Sequence, residues 1–264
     1  MPVSRTPGAV FKRDRAIVVI GLVGVVGLSW AYLFYMDWGM RHMDYGMGMV
    51  IMPAMQHWTV RDLLLIFLMW TIMMVAMMVP AASPAIIIFA QINRRRREQR
   101  APFILSGLFL LGYLVVWTGF SALATLSQWG LLNAALVSPM MESTSKALGA
   151  GLLLAAGLFQ FTRLKYACLV QCRSPIGFLM TDWRDGAWGA IRMGLKHGSY
   201  CLGCCWALMC LLFAFGVMNL LWVAGLSIFV LLEKVTFSHQ LVSRVAGLVF
   251  IGWATWVAFG SQRS

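Results

Sequence analysis

The chain has 264 residues, 61% of them hydrophobic and 11% charged, and a formal net charge of +12. A soluble domain carries roughly a quarter charged residues and a disordered chain is poor in Leu, Ile, Val and Phe, so both classes are excluded. What remains is a polytopic membrane protein, and its basic surplus, a nucleic-acid signal in a soluble protein, must first be placed relative to a bilayer.

A bilayer-crossing helix needs about 20 mostly apolar residues. Seven runs meet or approach that length: 16–35, 63–91, 103–126, 147–161, 200–217, 220–232 and 245–260. They predict an all-α bundle of about seven transmembrane helices forming a single membrane domain, with no second domain and no pairing repeat. The first run is too long for the core of a cleavable signal peptide and is expected to stay as a signal anchor. Only Met218 and Asn219 separate the fifth and sixth runs, so a tight helical hairpin is expected, with Asn219 capping a helix.

With the N-terminus inside, residues 1–15, 92–102, 162–199 and 233–244 face the cytoplasm and hold 17 of the 21 Lys and Arg. Five of the nine acids share that side, so the inside carries +12 and the outside sums to zero. That is a strong positive-inside pattern, clearest in Arg94 to Arg97, and it removes nucleic acid as a partner. The bilayer itself is the partner it implies, and a bacterial inner membrane the location. Within 162–199, Ser174-Pro175 looks like a helix start. The alternation of Phe178, Leu179, Trp183, Trp188, Ile191 and Leu195 with Asp182, Arg184, Asp185, Arg192 and Lys196 then predicts an interfacial amphipathic helix. Trp30, Trp38, Trp58, Trp117 and Trp129 fall near predicted outer ends and read as an aromatic belt.

All six cysteines lie in the last 100 residues, none on the outer side. Cytoplasmic thiols stay reduced, so a cluster there points to a metal or catalytic site rather than to structural disulfides. In a helix beginning near His197, residues His197, Cys201, Cys204 and Cys205 fall at i, i+4, i+7 and i+8 on one face. Cys168 and Cys172, one turn apart, could close over them, whereas Cys210 points away. Thiolates with one imidazole suit Cu(I) or Zn(II), against the plain alternative that Cys is a small apolar residue in buried helices.

Of 19 Met, 12 fall between Met36 and Met78. In the outer loop 36–62, Met36, Met40, Met43 and Met47 step by 4, 3 and 4 with His42 interspersed, so a helix there would align the thioethers. Thioether sulfur is a soft ligand that selects Cu(I). In the second run Met69, Met73 and Met77 stack on one face, beside Met74 and Met78. Pro80 below them should kink the helix and free a carbonyl. Packing is the competing reading of these helix methionines. Glu233-Lys234 ends the sixth run as an internal ion pair or as an acid supporting the Cys stripe.

These residues carry a resemblance. W-T-I-M-M-V-A-M-M-V-P at 70–80, L-K-Y-A-C-L-V-Q-C-R-S-P at 164–175, H-G-S-Y-C-L-G-C-C-W-A-L-M at 197–209 and G-V-M-N-L-L-W to E-K at 216–234 resemble a bacterial family of predicted metal-binding integral membrane proteins, some of which carry the label copper chaperone. The resemblance implies a copper-related role carried by His197, Cys201, Cys204, Cys205 and the Met pairs at 73, 74, 77 and 78. It does not extend to the Met-rich first loop.

The expectation is a Cu(I)-handling inner-membrane protein, not an enzyme, since no phosphate-binding glycine loop, Ser-His-Asp pattern or cofactor fingerprint occurs. Capture by Met and His outside would feed the Cys/His cluster inside. Two other classes compete: a membrane thiol-disulfide oxidoreductase using Cys201 and Cys204 with Cys168 and Cys172, and a structural accessory subunit of a membrane complex. Neither the oligomeric state nor the metal's donor or acceptor can be read from these residues.

Overall fold

The computed structural model describes residues 7–41, 59–96, 102–134, 145–236 and 238–259, and among these it is helical without a strand. The elements are α1 (Pro7–Arg41), α2 (Val60–Arg96), α3 (Pro102–Asn133), α4 (Lys146–Phe159), α5 (Arg163–Arg173), α6 (Pro175–Thr181), α7 (Gly186–Cys210), α8 (Leu212–Phe215), α9 (Leu220–Val235) and α10 (His239–Phe259). Five stretches, 15–39, 60–94, 104–133, 186–215 and 240–259, are long and apolar enough to cross a membrane. A sixth passes only as the pair α4 and α5, bent by 65°.

Three expectations change at this level. The fourth run, 147–161, is a 14-residue helix whose chain turns sharply at Gln160 into α5 instead of leaving the bundle. The sixth is α9, 16 residues or about 24 Å, a little short of a full crossing. The expected amphipathic segment is divided. Its first part is the seven-residue α6, and its second part is continuous with the fifth run as one 25-residue helix, α7. The reason is local: Ser174-Pro175 starts α6, and Gly186, at φ 83°, breaks the chain before α7.

Local chemistry accounts for the helix ends that position the site. Thr59 and Asp62 form a reciprocal capping box at the start of α2, with the Thr59 N–H and hydroxyl donating to the Asp62 carboxylate at 2.9 and 2.8 Å. Asn219 caps α9 as expected, its side-chain oxygen accepting from the Leu221 N–H at 3.2 Å. Thr162 caps α5 by accepting from the Lys165 N–H.

The core lies along α2, from Met69 and Trp70 to Phe89, against α1, α3 and α9. Helices α3 and α7 meet backbone to backbone. A Cβ on Gly194 would run into the Phe109 carbonyl and one on Gly112 into the Ile191 carbonyl, so only glycine allows this approach. Trp117 departs from the expected outer belt: it is buried to 1% exposure within the bundle, while Trp38 and Trp129 are exposed. Large apolar side chains such as Ile20, Leu28 and Trp256 remain exposed on α1 and α10, as a lipid-facing surface requires.

Candidate metal centre

The close crossing of α3 and α7 sets the site. His197 and Cys201 follow Gly194 on α7, and Tyr113 follows Gly112 on α3, so the two helices bring these side chains together about halfway along α7. Cys201, Cys204 and Cys205 are all buried to 1% exposure or less. Helix α5 crosses the same face, and its Cys172 thiol faces both Cys201 and Cys204, while Cys205 faces those two from its own helix. Cys168 packs against Gly203, where a Cβ would lie 2.7 Å from its sulfur. Of the five cysteines expected to converge, Cys172, Cys201, Cys204 and Cys205 are therefore one cluster, with Cys168 at its edge. All six cysteines are free.

The sulfurs differ in their partners. The Cys204 and Cys205 thiols donate back to the Cys201 carbonyl at 3.1 and 2.8 Å. The Cys201 sulfur instead accepts from the Lys234 ammonium at 3.0 Å, and lies 3.0 Å from the Tyr113 hydroxyl. Tyr113 has one proton for two neighbours, Cys201 and the Met78 carbonyl, which is also 3.0 Å away. A buried ammonium is costly unless an anion faces it. Lys234 is 8% exposed, and the acid beside it in sequence is not its partner.

Glu233 points elsewhere. Its carboxylate accepts from Lys165 on α5 at 2.8 Å and from the Ser243 hydroxyl on α10 at 2.6 Å. Glu233 and Lys234 are thus not an internal pair, and it is the lysine, not the acid, that touches the cysteine stripe. Lys165 with Glu233 is neutral, so the ammonium of Lys234 is left with the Cys201 sulfur as its partner. Spacing could not reveal Lys234, Tyr113 or Lys165, because each arrives from a different helix.

His197 is 1% exposed and surrounded by the rings of Phe109, Tyr113 and Phe178 at centroid distances of 6.0, 5.9 and 5.7 Å. Its Nδ1 has no hydrogen-bond partner among the described residues. An orphaned imidazole nitrogen one turn from Cys201 is an available donor, and burial this complete needs an explanation.

Met73, Met74, Met77 and Met78 are wholly buried where α2 faces this cluster. Near Pro80, the Met77 and Met78 carbonyls accept from the Ser227 hydroxyl on α9 at 3.3 Å and the Tyr113 hydroxyl on α3 at 3.0 Å. The carbonyl of Pro80, which Pro84 cannot serve, accepts from the Ser83 hydroxyl at 2.8 Å. Met36 is buried in the C-terminal part of α1, and Met40 lies in its last turn. Met43, Met47 and His42, expected in the outer loop, lie outside the described residues. Cys210, at the end of α7, is half-buried and stands apart from the cluster.

Among the described residues, no three His, Cys, Asp or Glu side chains are already spaced as a closed metal site. The donor set nevertheless fits copper chemistry. Two soft sulfurs satisfy Cu(I), four converge here, and two of them donate weak thiol–carbonyl bonds that a metal can replace. The class this defines is a helical protein with stretches long and apolar enough to cross a membrane and a buried thiol cluster beside a cation. A family model described as copper chaperone matches residues 67–257, and the chain belongs to that family. No curated protein and no solved structure matches it.

Proposed function

We propose that the chain is a multi-pass inner-membrane carrier of Cu(I), not an enzyme, and that Cys201 with Cys172, Cys204 or Cys205 holds the ion. The observation that carries this is the Lys234 ammonium 3.0 Å from the Cys201 sulfur inside a cluster of four thiols. A Cu(I) ion between two thiolates has a net charge of −1. Lys234 at +1 makes the loaded site neutral, as burial among apolar helices demands. His197, with its free Nδ1, is a third donor.

Copper reaches this site along α2. Met36, Met40, Met43, Met47 and His42 collect it on the outer side, and Met73, Met74, Met77 and Met78 line the way to Tyr113 and Cys201. Since thiolates hold Cu(I) more tightly than thioethers, the order of donors favours inward delivery. Cys201, Cys204 and Cys205 are buried to 1% exposure or less, which weighs against direct attack by an external dithiol in the oxidoreductase reading. Copper content after purification tests the proposal, comparing the native chain with C201S/C204S/C205S. About one copper per native chain and none in the variant is expected; background copper in both, or equal copper in both, would end it.

A further inference from the structure

A second polar site lies away from the thiols, where α4 bends into α5 and meets the start of α10. A cavity of about 370 Å³ opens there, lined by Gln160, Arg163, Lys165, Gln240, Ser243 and Arg244 among others. Its floor holds Gln160, which is 5% exposed yet has neither its amide nitrogen nor its amide oxygen hydrogen-bonded. Both groups are strong and costly to bury unpaired. Arg163 and Arg244, both exposed, also line it. Among the described residues neither has a carboxylate partner, because the acid next to the cavity, Glu233, is taken by Lys165 and Ser243. The cavity is therefore cationic, rich in N–H donors and short of an anion.

Its place in the fold narrows the anion. The apolar α4 ends at Phe159 just above it, and the apolar stretch 240–259 of α10 begins at it. Two lipid-facing helices thus stop at the same level, where a bilayer's hydrocarbon gives way to headgroups. Phe161 and Tyr166 at the mouth are 47% and 46% exposed, and Leu164 beside them is 59% exposed. An apolar rim over a polar, doubly arginine-lined floor matches an anionic phosphate with acyl chains attached. Arginine forks bind phosphate oxygens in pairs, and the Gln160 amide adds a further donor.

We propose that this cavity binds a phosphate group, supplied by an anionic phospholipid headgroup, with Arg163 and Arg244 as the charged contacts and Gln160 as the buried donor. The floor connects to the thiol cluster, since Lys165 and Ser243 hold Glu233, and the adjacent Lys234 holds Cys201. A headgroup in the cavity would brace the α4–α5 bend that carries Cys172 to the cluster.

The test uses no copper and so stands apart from the copper reading. The full chain in detergent is exposed to equal amounts of phosphatidylglycerol and phosphatidylcholine, and retained lipid is counted by native mass spectrometry. Three variants are compared with the native chain: R163Q/R244Q, Q160L, and R184Q/R192Q as a control that removes equal charge from exposed positions elsewhere. The expected result is retained phosphatidylglycerol on the native chain and the control, with about tenfold less on R163Q/R244Q and a smaller loss on Q160L. A second arm adds millimolar inorganic phosphate without lipid. A rise in Tm specific to the native chain and control, without a lipid preference, keeps the phosphate site and assigns it to the free ion. No preference between lipids together with no effect of phosphate, or equal loss in the control, overturns the proposal.

Discussion

Replacing Lys234 by Met removes the ammonium and keeps most of the apolar stem. A thiolate and an ammonium 3.0 Å apart attract by about 5–6 kcal/mol at an effective dielectric constant of about 20. Removing one partner of a buried pair costs about 3–5 kcal/mol, because the other charge is stranded. In K234M that cost falls on the thiolate, so Cys201 takes up a proton and must release it again to bind metal. The Kd for Cu(I), measured by competition with a chromophoric chelator, is expected to rise by about 100- to 1,000-fold. The complementary change, C201S, strands the lysine and lowers unfolding stability in detergent by about 3 kcal/mol. The double variant C201S/K234M leaves neither charge and should be more stable than C201S alone. Additive effects of the two changes, with coupling below about 0.5 kcal/mol, would refute the ion pair and with it the account of how the site stays neutral.

Four other outcomes follow from the same geometry. Lys165→Met strands the Glu233 carboxylate, 2% exposed, and should cost about 3–5 kcal/mol in unfolding stability, with K165M/E233Q regaining much of it; equal losses in both would contradict the pairing. Tyr113→Phe leaves the Met78 carbonyl without its donor from α3, lowering stability by about 1–2 kcal/mol as a fall in Tm. Gly194→Ala forces a Cβ against the Phe109 carbonyl, which is backbone and cannot yield, so the chain should elute as aggregate in size-exclusion chromatography, whereas Gly225→Ala, with open space, should elute normally. His197→Phe fills the same ring-lined space without the orphaned nitrogen; it should fold as well as the native chain and weaken Cu(I) binding by about tenfold, and unchanged binding would remove His197 from the donor set.

The cysteine cluster was legible because helical periodicity alone puts Cys201, Cys204 and Cys205 on one face, and a helix does form there. Cys168 and Cys172 were legible as a pair one turn apart, and the bend at Gln160 brings them across. The division of residues 174–199 was not. Apolar and charged residues alternate evenly through it, and the break rests on Gly186 adopting a positive φ that no periodicity marks. Its position near a predicted outer end put Trp117 in the aromatic belt, but α3 turns it into the bundle. The roles of Glu233 and Lys234 were exchanged for a reason outside any single helix. Lys165, 68 residues away, reaches the carboxylate first, and that frees the neighbouring ammonium for sulfur.

The central claim is that copper sits between sulfurs of this cluster with Cys201 among them. X-ray absorption at the copper edge, on the protein loaded with one equivalent of Cu(I), tests it most directly. The account predicts a Cu(I) edge and an inner shell dominated by sulfur, which loses a sulfur neighbour in C201S and keeps it in C210S. A shell of nitrogen and oxygen, or one that C201S leaves unchanged, would contradict it.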